Sequence, residues 1–476
     1  MTNRRDFLKG TAWMGATALA AGCMNTRLFS CGTEGAPMMK YADKKIPKLR
    51  IGIVGLGRGA GAARTFPKIP GCEVTWVCEL PESMKRIELH RQWCAENGVK
   101  PPRFEFGAEA YKTMCNADDV DLVYNATPWH LHAPIGLYAM EHGKHVAIEV
   151  PAALTVDECW ALVETSERTR RHCMQLENCC YGEIEMLAMN MCHSGVLGEL
   201  VHGEGAYIHD LRQYCYGEYL DDEGPNADGP GYWNKWRLEY NRKHGGNQYQ
   251  THGLGPICID MDINRGDQFD YLVSVDSAQV GMREFAKAKY GADSEKAKWD
   301  VKMGDMNTTI IRTKLGRTIL VQHDVGTFRP YSRLNLISGT RGIVADYPFR
   351  AAIDERPNGK PTTVHSFNPE VSAQIREKYK HPLWRQAGEL AKKVGGHGGM
   401  DFLMMLRLAY CLQNGQPLDM NVYDLATWCS IGELTERSAD RRGASLDIPD
   451  FTRGDWRTTK RWGFEGVDLA KMGFKA

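Results

Sequence analysis

The segment Gly55-Leu56-Gly57-Arg58-Gly59-Ala60 has the residue types and spacing to cradle a dinucleotide. In a G-x-G-x-x-G/A turn the first glycine permits the tight bend. The second lets the backbone approach a pyrophosphate, and the small sixth residue lets the following helix sit close to the strand. The N-terminal amides of that helix then face the phosphates. Glu79 stands about 20 residues on, at the end of the next apolar run, where an acid accepts from ribose hydroxyls. A carboxylate there repels a 2′-phosphate, so the cofactor expected is NAD rather than NADP. Further polar groups recur at the ends of later apolar runs: Trp129-His130-Leu131-His132, Glu149-Val150 and Glu177-Asn178.

The elements that must hold these groups are legible around them. Leu49–Val54 and Glu73–Cys78 are short β-branched runs that read as strands, as do Leu122–Asn125, His145–Ile148 and Cys173–Leu176. Helical patterns lie between them, at Ala133–His142 and at Thr155–Thr169, where Thr155 and Glu158 form a capping box. Alternating strands and helices imply a doubly wound parallel sheet, with ligands at the carboxyl ends of its strands. The predicted architecture is α/β, an N-terminal Rossmann unit followed by a C-terminal α+β domain on an open, mostly antiparallel sheet. That sheet is read from Gly198–Asp210 and from runs near Tyr271–Asp276, Asn307–Thr313, Thr318–Asp324, Arg333–Ser338 and Gly342–Tyr347. Residues 211–248 form a long aromatic, Gly- and Asp-rich segment, and segments of that size without regular structure are usually functional. Helices return at Leu383–Lys393 and Asp401–Asn414. The expected divisions are 1–46 (leader and tether), 47–178 (NAD-binding), 179–440 (substrate) and 441–476 (C-terminal arm).

Composition removes several classes. Lys and Arg number 59 against 59 Asp and Glu. A nucleic-acid binder normally carries a basic excess. Hydrophobic residues at 43% and charged residues at 25% are ordinary for a globular chain and exclude disorder over most of it. The 15 cysteines are an odd number with no C-x-x-C pair, which is neither a disulfide framework nor a zinc ribbon. There is no H-E-x-x-H and no G-x-S-x-G, so no metal centre and no serine nucleophile is expected. At the N-terminus Arg4-Arg5 precedes the apolar stretch Thr11–Ala21, then Gly22-Cys23. This reads as a twin-arginine leader with Cys23 as a lipid acceptor, and hence as an exported periplasmic or membrane-anchored lipoprotein. That route carries folded proteins, as loading of a cytoplasmic cofactor would require.

From about residue 48 to about 440 the layout resembles the glucose–fructose oxidoreductase / inositol dehydrogenase superfamily. Most dehydrogenases of that group carry Glu-Lys-Pro, whose Lys assists proton transfer. Here the triplet is Glu149-Val150-Pro151. Their G-G-…-D-…-H segment, aligned on Gly245-Gly246, places the Asp near Gln250 and the His near Leu254. Both departures, together with Tyr249–Pro256, His397-Gly398-Gly399-Met400-Asp401 and the leader, are similar to glycoside hydrolase family 109, NAD-dependent α-N-acetylgalactosaminidases. The resemblance implies cofactor contacts at Gly55, Gly57, Arg58, Gly59, Glu79, Trp129, His130, Leu131, His132, Glu149, Val150 and Asn178. It implies sugar contacts at Tyr207, Arg237, Tyr249, Gln250, Thr251, His252 and Tyr331, with Glu177 beside them at a strand end. His252 is the first candidate for acid/base work, since imidazole titrates near neutral pH, with Tyr249 and Tyr331 as proton relays or hydroxyl holders. The implied route oxidises C3 of the sugar, removes the proton at C2, expels the group on C1, adds water and reduces C3 again. It requires NAD that stays bound and glycans or glycosides ending in α-N-acetylgalactosamine. Two other readings stand beside it: a net NAD-dependent sugar oxidoreductase, and a sugar- or nucleotide-binding lipoprotein without turnover. A homo-oligomer is a further expectation.

Overall fold

The computed structural model describes residues 35–216 and 236–474. Arg4, Arg5 and Cys23, with the rest of the leader, and the core of the 211–248 segment lie outside the described residues. Among the described residues no helix is long and apolar enough to cross a membrane.

The first sheet has six strands: β1 (Leu49–Val54), β2 (Cys72–Glu79), β3 (Arg103–Phe106), β4 (Leu122–Asn125), β5 (His145–Ile148) and β6 (Cys173–Gln175). Their order is β3-β2-β1-β4-β5-β6 and every pairing is parallel. The order reverses between β1 and β4, which is where a doubly wound sheet opens its crevice. β1, β4 and β5 are apolar and almost wholly buried, as a sheet covered on both faces demands.

The second sheet has eight strands: β7 (Leu200–Ile208), β8 (Phe269–Asp276), β9 (Asn307–Thr313), β10 (Thr318–Asp324), β11 (Leu336–Gly339), β12 (Gly342–Ala345), β13 (Arg350–Ile353) and β14 (Leu446–Asp447). Its order is β13-β12-β11-β7-β10-β9-β8-β14. It is antiparallel except where β7 runs parallel to β10.

Two helices join the halves. Thr251–Asp260 is buried along its whole length, and it reaches β7 because glycines meet there. A Cβ on Gly253 would lie 2.2 Å from Ala206 N, and one on Gly205 would lie 2.0 Å from Gly253 O. The helix Val422–Ala439 begins with an Asn421–Asp424 capping box and packs between the sheets.

Two expected boundaries differ from what is seen. Residues 35–46, read as the end of a tether, lie against the body: Met38 and Met39 are buried, Met38 N donates to Tyr423 Oη, and Asn421 Nδ2 donates to Met39 O. Residues 441–476, read as an arm, supply edge strand β14 and bury Phe451 and Phe464. Apolar side chains in both stretches find core to cover, and that burial holds them.

Candidate active site

The glycine turn closes tightly onto the sheet. Gly55 has φ of +89°, and a Cβ there would sit 2.8 Å from Ala126 O. A Cβ on Gly59 would sit 2.9 Å from Ile53 Cγ2, so the helix Gly59–Thr65 lies directly on β1. Gly57 is half-buried beside them. Glu79 ends β2 with Oε2 accepting from Leu56 N (2.7 Å) and Oε1 from Leu80 N (2.9 Å). This puts a hydrogen-bond acceptor against the turn, where the free ribose hydroxyls of a dinucleotide would donate.

Beyond the turn, Arg58, Tyr124, Glu149, Asn178 and Asp401 line a cavity of about 260 Å³. Burial raises the Glu149 carboxyl, opposed by Arg58, whose Nε is 3.7 Å away, and by Tyr124, whose hydroxyl donates at 2.8 Å. Val150 is buried and offers no ionisable group. Trp129 is buried and stacks on Tyr249 at 5.7 Å between centroids. The Arg237 guanidinium lies 4.8 Å from the Trp129 ring and 4.6 Å from the Tyr249 ring, so this trio ties the two halves together.

The next residues divide. His130 is exposed and Leu131 half-buried. His132 corrects an expectation: its ring nitrogens lie 2.7 Å from Pro151 O and 2.7 Å from Thr127 O, and burial pushes it down to about 4. Both nitrogens are committed to the protein, so His132 fixes the two strand-end loops and has no polar atom left for a cofactor.

A second cavity, of about 440 Å³, meets the first at Asn178. Tyr207, His209, His252, Tyr331, Arg333 and His397 line it, along with apolar Ile184, Trp384 and Met400. His252 Nδ1 lies 2.7 Å from Glu177 Oε1, which also accepts from Cys179 N at 3.1 Å. Glu177 is fully buried. Burial opposes its charge, but the imidazole, the Thr251 hydroxyl and the Cys179 amide outweigh it and hold the carboxyl below its ordinary range. A carboxylate only accepts, so Nδ1 carries the proton and Nε2 is left with a lone pair for whatever enters the cavity.

Tyr249 lies edge-on to His252 at 4.8 Å between centroids, and Tyr207 at 5.4 Å. The Tyr207 hydroxyl is 3.0 Å from His209 Nδ1. Arg237, Tyr207, Tyr249, His252 and Tyr331 are thus brought together.

Five expected sugar contacts are not among the residues that line this cavity, and two of them, Arg237 and Tyr249, belong to the trio with Trp129. Glu177 and Thr251 are sealed behind His252. Gln250 points the other way, its Nε2 donating to Trp428 O and Cys429 O at 3.1 Å each. At the start of a helix buried on all sides, successive side chains must face different neighbours, and only every third or fourth can face one cavity.

Several contributors are assigned no contact by the sequence, although His397 and Asp401 stand in its family motif. Asp401 accepts from Asn178 Nδ2 at 2.5 Å, and its other oxygen lies 2.8 Å from His397 Nδ1. Burial opposes the Asp401 charge, but His397, Arg58 and Asn178 together keep its carboxyl low. His397 sits in a run of five left-handed residues, Gly395 to Gly399, with φ of 94°, 86°, 44°, 73° and 106°. Four glycines flanking one histidine were the available signal, since only glycine takes that backbone at no cost. Tyr124, His209, Glu185 and Arg333 carried none. Glu177, Cys179 and His252 offer metal-ligating atoms within 4.8 Å of one another, all three buried, and burial holds the Cys179 thiol well above its ordinary range.

Comparison with known proteins accords with this layout. Residues 49–176 match the model described as "Oxidoreductase family, NAD-binding Rossmann fold". Residues 181–458 match "Glycosyl hydrolase 109, C-terminal domain". A glycosyl hydrolase family 109 protein of Porphyromonas gingivalis is 46% identical over 435 residues, covering 89% of this chain and 88% of that one. A protein of Bacteroides fragilis named alpha-N-acetylgalactosaminidase is 44% identical over 421 residues, covering 88% and 96%. Among solved structures, levoglucosan dehydrogenase in complex with NADH and levoglucosan superposes with a TM-score of 0.59 over 84% of this chain and 99% of its own, at 18% identity. That last likeness is one of fold. An NAD-binding Rossmann domain is thus joined to the substrate domain of a hydrolase family, and the chain belongs to glycosyl hydrolase family 109.

Proposed function

We propose that this protein releases terminal α-N-acetylgalactosamine from glycans or glycosides without net oxidation, through a transient ketone at C3 of the sugar. The observation that carries the reading is one cavity faced by two carboxylate-held imidazoles, His252 and His397, and continuous at Asn178 with the cofactor cavity. NAD is held by the Gly55–Gly59 turn, Glu79, Arg58, Glu149 and Asn178, and when bound supplies a reversible hydride acceptor. The turn fits it, because any side chain at Gly55 would collide with Ala126.

The residues divide the remaining work. His252 Nε2 removes the proton at C2, acidified by the neighbouring carbonyl, and Glu177 stabilises the imidazolium that results. His397, the more exposed imidazole, delivers a proton to the departing oxygen at C1 and takes one from the incoming water. Tyr331 and Tyr207 hold sugar hydroxyls. Glu185, the buried carboxylate of this cavity, is tied to Arg333, which leaves proton transfer to the imidazoles. Val150 cannot take the proton of the hydroxyl oxidised at C3, so that proton leaves through the Tyr207 hydroxyl to His209 Nδ1, 3.0 Å away, and returns the same way when C3 is reduced.

The protein is exported already folded, with NAD enclosed, and is anchored through Cys23. What supports this is the Arg4-Arg5 leader and the thirteen free cysteines among the described residues, twelve of them buried. Such a chain folds best under reducing conditions, with its thiols sealed before export.

The test is purified protein, with no cofactor added, on p-nitrophenyl α-N-acetylgalactosaminide. Nitrophenol release without growth of NADH absorbance is expected. NADH accumulating with free sugar would indicate the dehydrogenase instead, and no release with or without NAD would remove the hydrolase reading. Transfer of the protein from membrane to soluble fraction in Cys23→Ala is the expected sign of the anchor, and an unchanged distribution would refute it.

A further inference from the structure

Tyr331 lines the cavity with 39% of its surface exposed. What meets its hydroxyl is Arg333, two residues on: Nη1 donates to Tyr331 Oη at 3.0 Å. The rest of the guanidinium is bound to Glu185, Nε donating to Oε1 at 3.0 Å and Nη2 donating to the same oxygen. Arg333 and Glu185 are both buried.

Two features of the backbone serve this arrangement. Glu185 folds back over Gly182, where a Cβ would lie 2.0 Å from Glu185 Oε2, so any larger residue would displace the carboxylate. Directly after Arg333, Leu334 and Asn335 adopt φ of 57° and 46°. Two non-glycine residues in the left-handed region carry a conformational cost, sustained only where the surroundings enforce it. They turn the chain from Ser332, bridged to Ile208 of β7, into β11, and leave Arg333 beneath the cavity.

We propose that Arg333, anchored by Glu185, is a positioning residue for Tyr331: it directs the phenol proton into the cavity and holds a positive charge beside the phenol oxygen. This rests on the proposed glycosidase reading. An arginine only donates, so the phenol oxygen must accept from it and its own O–H points elsewhere. Burial pushes the phenol up to about 12, and the Arg333 charge opposes that rise. The other groups facing Tyr331 are Tyr207 of β7, His209 just after it, Tyr347 after β12, Cys179 and Glu185. Of all these Arg333 carries the permanent positive charge. Tyr331 is therefore a hydrogen-bond donor aimed at developing negative charge on the sugar, and its strength depends on Arg333.

The test has two readouts. Arg333→Met lowers kcat roughly 10²-fold, the usual loss for a preorganised donor. KM moves by less than about threefold, because the loss falls on the transition state. In a Tyr331→Phe background the same change has little further effect, and Arg333→Lys recovers part of kcat. The second readout needs no turnover. Tyr331 is replaced by 3,5-difluorotyrosine, whose phenol titrates in a measurable range, and is followed by ¹⁹F NMR. Arg333→Met raises the fluorophenol pKa by about one unit or more, the sign of a lost cation. An unmoved titration, or an equal kcat loss with and without the Tyr331 hydroxyl, would overturn the proposal. Should the methionine variant fail to fold by circular dichroism, Arg333→Gln carries both measurements. Absence of wild-type turnover would count against the glycosidase reading alone, since the fluorine titration is independent of it.

Discussion

Two imidazole–carboxylate pairs face the larger cavity, and they are built differently. In His252–Glu177 the ring is 10% exposed and the carboxylate not at all. In His397–Asp401 the figures are 46% and 20%. A fully buried carboxylate stays charged only with close partners. Glu177 has them, and its charge in turn fixes the His252 tautomer. Asp260 shows the alternative: it is buried, neither of its oxygens has a partner among the described residues, and burial drives its carboxyl well above the ordinary range. His397 rides on glycines, and its carboxylate is shared with Asn178. The buried pair suits a proton transfer that needs fixed geometry, at C2 of the sugar. The exposed pair suits exchange with leaving groups of varied shape and with water.

The sharpest break of this contrast is His252→Ala. We expect turnover to fall by about 10² to 10⁴, the range for a general acid/base. Stability falls too, because Glu177 is left charged and unpaired. Adding Glu177→Gln should restore stability and no activity. Near-normal turnover in the single variant would remove His252 from the chemistry.

His397→Ala is expected to cost less, roughly 10- to 10²-fold on a nitrophenyl glycoside. The loss should grow for alkyl or sugar leaving groups, which need protonation more. Thermal stability should barely move, since exposed pairs contribute little. A loss independent of the leaving group would contradict its assignment to C1.

Gln250→Ala tests a residue displaced from the sugar to the core. It should lower stability by about 1–3 kcal/mol, the cost of orphaned buried carbonyls, with KM within about threefold. A large KM effect at unchanged stability would return Gln250 to the sugar.

The smallest effect concerns pH. Asp260 has a raised folded-state value, so its burial penalty is absent below its unfolded value and develops above it. Asp260→Asn should therefore gain about 1 kcal/mol at neutral pH and nothing in acid. Glu177 and Asp401 have lowered folded-state values. Their contribution is complete above the ordinary carboxylate range and is lost as pH falls through the lowered values. Chemical denaturation of the variants across pH 3–8 measures both signs.

Legibility followed burial pattern and sequence distance. Strands β1, β4 and β5 were predicted to the residue, because fully buried parallel strands are short apolar runs with clear ends. Edge strand β3 has no such run and was not seen. The helix Val422–Ala439 was not seen because thirteen of its residues are buried around its circumference, which erases the period of an amphipathic helix. Its Asn421–Asp424 capping box marks its start in the sequence. His252 was nameable from its motif, but Glu177 as its partner was not, since they are 75 residues apart. Resemblance assigned Gln250, Thr251 and His132 by position in a motif, and the facing of each side chain came only with the fold.

The most direct test of the central claim is the fate of the C2 proton. Hydrolysis of an α-N-acetylgalactosaminide in D₂O by unsupplemented protein, with the released sugar examined by NMR and mass spectrometry, decides it. The account predicts deuterium at C2 in the product with no net NADH formed. Product retaining full protium at C2 would contradict elimination and point to direct displacement at C1.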